Sequence, residues 1–539
     1  TVHAQGETLA QEEGGFVVWD EAVLAQGPRI EFCDNLFRFN GRRKHLVGSR
    51  EEGVCLPGRP GENPLDILAR YRQMRDMEMS VASPVFLSVF VPGFGYGEET
   101  PGLLPEEILR QLDAHVQLAQ KCGLVLAPNL FFLTKVQSMM EIDLSRRLAA
   151  MLGRRYAQVP GLMFYILDDG GRYILPHVFN PWAEAVVQGF RQSGRQFLVT
   201  AEFDNRVNNP DGMRCCAEHL DFVSCSDYGG FASTADIVSA CITDMRIAGK
   251  SSSMAEFGCE AASGRDKDHL LHLTIPHQYF GLGFCMTLNW KWEDNMYQIW
   301  PWGLIFPCDW VPKEQAYTYR NQALLSGLLH PQVELPATVV VFPRGHWIGE
   351  EGGKEHLARL EWVMREMVER HVPFAMIDEP DLAKLPAGTK LLIYPTHRTT
   401  TSHDLEQIRR CDPATTILAL AEGPEWPLSG EGVVCVPYTR DRFASALETM
   451  IEGGSAERID VSPARRDVHA MRLACDEGTA YVFVPETHGE WYSDIRDWSR
   501  ETKHLVLGHE GHRVGTTLAG LSTGMLILSD EGEILGAEA

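Results

Sequence analysis

The chain is 539 residues long, 44% of them apolar and 23% charged, the profile of a globular protein of several units at about 150 residues each. Acidic side chains outnumber basic ones by 73 to 49, and the formal charge of −24 repels phosphate backbones, which sets nucleic acid aside as a partner. No apolar run reaches the ~20 residues that a membrane span requires.

Residues 1–43 are an N-terminal segment ending in a β-hairpin. There EFCDNLFRF alternates and Asn40-Gly41 marks a tight turn, predicting a plug for the bottom of the unit that follows. From 44 to 335, eight short runs are apolar at first and polar only at their carboxyl ends, as strands buried on both faces are. They read KHLVGSRE (44–51), VASPVFLSVF (81–90), GLVLAPNLFF (123–132), LMFYILDDG (162–170), QFLVTAEFD (196–204), FVSCSDYGG (222–230), SSMAEFGCE (252–260) and FCMTLNWKWED (284–294). Amphipathic stretches lie between them. PLDILARYRQMRDME and PEEILRQLDAHVQLAQ carry apolar residues at i, i+3, i+4 and i+7 behind a proline suited to a first helical turn. That rhythm over roughly 290 residues predicts a (β/α)8 barrel. The rival is a doubly wound open sheet, but GSREEG after the first strand is not a GxGxxG phosphate turn.

The texture changes at 336. ATVVVFPR (337–344), FAMIDEP (374–380), KLLIYPTH (390–397) and TTILALAE (415–422) alternate with helical stretches such as HLARLEWVMREMVERH (356–371). They predict a smaller, flavodoxin-like α/β domain to 454. It carries no phosphate-binding motif, so its expected role is structural or oligomeric. From 455 to 539, AMRLAC, AYVFVP, HLVLG, HRVGTTLAG and MLILSDEGEIL between Gly, Asp and Glu turns predict a small β-sandwich. Thirteen cysteines include no CxxC pair, and several, such as Cys225 and Cys285, sit in apolar runs and read as buried small hydrophobes. Free thiols favour a reducing compartment, so a cytoplasmic location is expected, with secretion open because a leader ahead of Thr1 can have been removed.

Barrel enzymes gather their chemistry at the carboxyl ends of the strands. The polar residues there are Ser49, Arg50 and Glu51, then Asn129, then Asp168 and Asp169. The later strands add Glu202, Asp204, Asp227, Tyr228, Glu256, Glu260, Asn289, Trp290, Trp292 and Glu293. Histidine arrays for a metal are absent and no lysine is set for a Schiff base, Lys291 being the nearest, so neither metal nor cofactor is expected. Paired carboxylates suit glycoside cleavage, in which one protonates the leaving oxygen and the other attacks an oxocarbenium-like centre. Residues 289–310 hold five Trp and one Tyr, sugar platforms or core packing by composition alone.

The order hairpin, barrel, α/β domain, sandwich resembles glycoside hydrolase family 42 and its β-galactosidase and β-mannosidase relatives in the retaining barrel clan A. MAEFG (254–258) is similar to the clan's strand-seven nucleophile motif, SDYGG (226–230) to its strand-six segment, and LNWKW (288–292) to its strand-eight motif. The resemblance implies Glu256 as nucleophile, Tyr228 as its hydrogen-bond partner, and Trp290 and Trp292 as the subsite floor. Arg50, Asn129, Asp168, Glu202 and Asn289 then line the sugar site. At strand four the clan's Asn-Glu is replaced by Asp168-Asp169 in YILDDGG, so Asp169 takes the acid/base position, with Glu202 a second candidate and a turn-ordering role the alternative for Asp169. Aspartate is one methylene shorter, which widens the carboxylate gap and leaves an inverting outcome open. The expected activity is retaining hydrolysis of a terminal β-galactoside or β-mannoside from an oligosaccharide or glycoside. A catalytically inactive sugar-binding barrel and a lyase or metal-dependent hydrolase are the alternatives. The resemblance also implies a homo-oligomer, a trimer, joined through the smaller α/β domain.

Overall fold

The computed structural model describes residues 2–4, 7–10, 13–51, 62–84, 106–130, 142–167, 176–203, 216–227, 246–258, 265–294, 303–306, 310–342, 360, 362–395, 402–410, 414–421, 431–485, 501–519 and 522–538. Eight parallel strands form the barrel: β1 (Leu46–Glu51), β2 (Val81–Pro84), β3 (Val125–Leu126), β4 (Met163–Leu167), β5 (Leu198–Phe203), β6 (Val223–Asp227), β7 (Ser252–Phe257) and β8 (Met286–Asn289). They pair in the order β3-β2-β1-β8-β7-β6-β5-β4, and parallel bridges Leu126–Leu162 and Asn129–Tyr165 close the ring. The predicted (β/α)8 barrel is the observed fold. β3 is shorter than its apolar run because Pro128 has no N–H to give to the ladder. Helices Pro64–Asp76, Glu106–Cys122, Ile142–Arg155, Pro176–Arg191, Arg265–Gly281 and Glu314–Leu328 cover the outside. Gly48 is required in β1, since a Cβ there would stand 2.2 Å from the Val81 carbonyl oxygen.

Beneath the barrel lie three antiparallel strands, Ile30–Cys33, Leu36–Phe39 and Arg42–Lys44. The predicted hairpin is thus a three-stranded meander, because Asp34-Asn35 makes a second two-residue turn with φ of 54° and 65°, beside Asn40-Gly41 at 52° and 84°. Phe37 meets Phe222, at the amino end of β6, edge-on at 5.1 Å, and so caps the barrel floor.

The next unit is a five-stranded parallel sheet: β9 (Thr338–Phe342), β10 (Ala375–Asp378), β11 (Leu391–Tyr394), β12 (Thr416–Ala421) and β13 (Val433–Pro437). Its order is β10-β9-β11-β12-β13. The fifth strand was not anticipated from the sequence; VVCVP is short and half-exposed, so it lacks the apolar signature of its neighbours. The final unit stacks two antiparallel sheets. One holds Val468–Cys475, Gly478–Pro485, Gly524–Leu528 and Ile534–Glu538; the other holds Val461–Ser462, Lys503–His509 and His512–Leu518. Alternation divides the first sheet's faces. Tyr481, Phe483, Leu526 and Leu528 fill the sandwich core, while Met471, Leu473, Val482 and Ile527 pack towards the barrel helix residue Phe280. Pro331–Gln332 joins this sheet by pairing with Ala474 and Cys475. Among the described residues no helix is long and apolar enough to cross a membrane, and Cys122, Cys216, Cys225, Cys285 and Cys475 are buried and outside any disulfide.

Candidate active site

At the carboxyl ends of the strands the centre of the barrel is an arginine. β1 carries Arg50 inward, wholly buried. Its Nε donates to the Ala255 carbonyl at 2.8 Å and its Nη2 to Glu202 Oε2 at 2.8 Å, while Nη1 stands 3.3 Å from Glu256 Oε1. The guanidinium also lies over the Tyr165 ring, 4.8 Å from its centroid. A buried cation is tolerable only when paired, and here strands five and seven supply the carboxylates. The register explains the convergence: Ser226 on β6 pairs with Glu256 on β7, and the Ser226 hydroxyl donates to Glu202 Oε1. Below this layer the hydroxyls of Thr200, Ser224 and Ser253 run in a chain, at 3.1 and 2.5 Å.

The two carboxylates differ in access. The Glu202 side chain is 1% exposed and its oxygens meet Arg50 and Ser226, whereas the Glu256 side chain keeps 11% of its surface. Just past Glu256 the chain runs against the end of β8. Trp290 N donates to the Phe257 carbonyl at 2.7 Å, and a Cβ on Gly258 would stand 2.5 Å from the Trp290 carbonyl oxygen. The glycine of MAEFG is therefore a close-approach residue, which ties that motif physically to LNWKW. Trp292 N in turn donates to the Arg50 carbonyl at 2.8 Å.

Of the predicted sugar platforms, Trp290 is half-buried and keeps exposed surface, while the Trp292 ring is 1% exposed and packs in the barrel core. Asn289 is buried, with Nδ2 donating to the Lys291 carbonyl at 2.9 Å and no partner for Oδ1 among the described residues. Asn129, at the end of β3, is buried with neither amide atom bonded among the described residues. Asp168, Asp169 and Tyr228, together with Asp204 and Glu260, lie outside the described residues.

Glu51 and Glu293, collected above as strand-end polar residues, do not join Arg50. Glu51 follows Arg50 directly and so projects to the other face of β1. There Arg70 donates to it at 2.9 Å, pairs with Glu62, and stands 3.5 Å from Glu293. Tyr71 and His115 complete this second cluster, the Tyr71 hydroxyl lying 2.6 Å from His115 Nδ1. Burial pushes the Glu51 carboxyl up to about 7 against the pull of Arg70, and pushes the His115 imidazole down to about 4. Sequence reasoning missed Arg70, although its signal was present: Ile67, Arg70, Tyr71 and Met74 form the helix's buried stripe, and an arginine there requires an acidic partner. It missed Ser226 and Tyr165 as well. Both sit inside strand runs, where a small hydroxyl or a tyrosine reads as filling. Among the described residues no group of three or more His, Cys, Asp or Glu is arranged to hold a metal ion.

No family model and no curated protein sequence matches the chain. Solved structures do. A β-galactosidase from Rahnella sp. R3 superposes with a TM-score of 0.64 at 12% identity, over 89% of this chain and 98% of that one. A catalytic mutant of Gan42B, a GH42 β-galactosidase from G. stearothermophilus, gives 0.63 at 11% identity, over 89% and 97%. The exo-β-1,4-mannosidase Op5Man5 from Opitutaceae bacterium strain TAV5 gives 0.55 at 15% identity, over 92% and 94%. The chain has the fold of these glycoside hydrolases. The likeness runs through all its units and not the barrel alone.

Proposed function

We propose that the chain is a retaining β-glycosidase acting on terminal β-galactosides or β-mannosides. The observation that carries this reading is Glu256, a nearly buried yet accessible carboxylate at the end of β7, paired at 3.3 Å with a fully buried arginine. Two carboxylates against one guanidinium leave the described cluster with a surplus negative charge beside the place where an oxocarbenium-like centre would form. Glu256 attacks the anomeric carbon. Asp169 protonates the leaving oxygen and then deprotonates the water that releases the sugar. Arg50 fixes the direction of the Glu256 carboxylate, and Glu202, its own oxygens occupied, orients Arg50 instead of serving as the acid. Tyr228 hydrogen-bonds Glu256, while Asp168, Asn129 and Asn289 meet sugar hydroxyls. Trp290 offers the stacking face, and Trp292 holds the floor from beneath.

The names of the superposed proteins support the substrate class, and the strand order of β9–β13, which is 2-1-3-4-5, supports reading 336–454 as a flavodoxin-like domain. Residues 44–335 are the catalytic unit and 455–539 the sandwich, with the α/β domain joining copies of the chain into a trimer. The test is a screen of aryl β-galactoside, mannoside, glucoside and fucoside, with product stereochemistry followed by NMR. Release of a β-configured sugar supports the proposal. Inversion refutes the double displacement, and sugar binding without release from any of the four favours an inactive carbohydrate-binding barrel.

A further inference from the structure

The aromatic segment that follows β8 is held at two edges. On its near edge the main chain is tied to the barrel, Trp290 N to Phe257 of β7 and Trp292 N to Arg50 of β1. Its far edge folds back on itself. Leu304 N and Ile305 N donate to the Trp292 carbonyl at 2.8 and 2.9 Å, and Asp294 N donates to Ile305 at 3.1 Å. Lys313, at the start of the helix Glu314–Leu328, donates to Asp294 Oδ1 at 2.7 Å. All these far-edge partners lie in the same stretch of chain, 290–313.

From a distant part of the sequence, the helix Pro64–Asp76 also reaches this edge. Its Arg70 and Gln73 are three residues apart and share one side of the helix. Arg70 stands 3.5 Å from Glu293, and its guanidinium lies over the Trp310 ring, 5.8 Å from the centroid. Gln73 Nε2 donates to the Trp310 carbonyl at 2.8 Å. Trp310 has φ of 58°, a conformation costly for a bulky residue and kept only where neighbours impose it. Arg70 is itself fixed, buried and paired with Glu51 and Glu62, so it offers Glu293 a stationary partner. Lys291 also favours the ionised form of Glu293, but from within the segment, so it moves with what it would hold. Trp290 is only three residues from Glu293, at most ~11 Å of chain.

We propose that Arg70 and Gln73 are positioning residues for the reaction: by holding Glu293 and Trp310 from outside the segment, they fix the sugar-facing surface of Trp290. The inference rests on the glycosidase reading, which takes Trp290 as the stacking face.

The experiment uses the full chain with Gln73→Ala and Glu293→Gln, each alone and each combined with Trp290→Ala. Both positions are half-buried and both changes leave Arg70 paired with Glu51 and Glu62, whereas Arg70→Met would strand those two carboxylates in the interior. On the best aryl glycoside each single variant should raise KM at least ~3-fold with kcat within about twofold of the parent. In the Trp290→Ala background neither should raise KM further, because the face they position is gone. A merely structural role would lower kcat through lost active enzyme, alike in both backgrounds. Hydrogen exchange read by mass spectrometry needs no substrate. The bonded amides of Trp292, Asp294 and Leu304 should exchange at least ~3-fold faster in each variant, with β5 and β6 unchanged. A variant with unchanged exchange or unchanged KM overturns the role of the residue it replaces, and KM effects that persist in full without Trp290 overturn the link to the stacking face. A parent that hydrolyses no aryl glycoside refutes the glycosidase reading instead, and the exchange result alone then upholds or overturns the anchor.

Discussion

Replacing Arg50 by methionine keeps the length and apolar bulk of the side chain and deletes its charge. In the parent the guanidinium is wholly buried and serves Ala255, Glu202 and Glu256 together. In Arg50→Met the 1%-exposed Glu202 and the nearly buried Glu256 lose the cation they share. Removing one member of a buried pair typically costs about 3–5 kcal/mol, most of it the penalty on the carboxylates left behind. At ~2–4 °C per kcal/mol for a unit approaching this size, the barrel's calorimetric transition should fall by roughly 6–20 °C. Activity should fall further than stability explains. With the protein held below its melting range, kcat/KM on the best aryl glycoside should drop at least ~100-fold, about 2.7 kcal/mol, because the carboxylate of Glu256 loses its fixed direction. Arg50→Lys should fall between the two, since an ammonium keeps the charge but cannot reproduce the three-way fork. A methionine variant that melts within a degree or two of the parent, or hydrolyses as fast, would refute the role given to this arginine.

The second cluster predicts a pH effect. Glu51 ionises in the fold only near 7 but in the unfolded chain near 4.5, so barrel stability is greatest below 4.5 in this respect and declines as pH rises to 7, by roughly 3 kcal/mol in full. Glu51→Gln should therefore melt above the parent near pH 8 and lose that advantage near pH 4, in a series of thermal scans; a constant offset would contradict the assignment. Trp290→Ala should raise KM for the aryl glycoside by about tenfold, the worth of a stacking face at ~1 kcal/mol or somewhat more, with a smaller change in kcat. Trp292→Ala should instead lower the melting temperature, by the ~3–5 kcal/mol of a deleted core aromatic. Light scattering on the full chain should give three chain masses, and a single monomeric mass would remove the oligomer from the account.

The barrel was legible because parallel strands covered on both faces become unbroken apolar runs, and MFYIL, LVTAEF and SSMAEF are such runs. β13 was not, because an edge strand needs no continuous apolar face. The plug's second turn was written plainly in Asp34-Asn35, yet a longer alternation masked it. At the site, the collecting rule (polar residues at strand ends) found Arg50, Glu202 and Glu256, which the fold brings into contact. The same rule could not separate them from Glu51, since adjacent residues on one strand point to opposite faces and only the pairing partner tells which way, nor from Glu293, which lies past the end of β8. Arg70 and Ser226 went unread for a related reason. Each matters through what it touches across the fold, and a linear sequence does not record that.

Glu256 as nucleophile is tested most directly by trapping. A 2-deoxy-2-fluoro glycosyl fluoride of the preferred sugar slows breakdown of a covalent intermediate, so peptide mass spectrometry after brief incubation reads which side chain carries the sugar. The account predicts one fluorosugar per chain, on the peptide containing Glu256, and none in Glu256→Gln. A label on the Glu202 peptide, or efficient turnover with inverted product and no label at all, would contradict it.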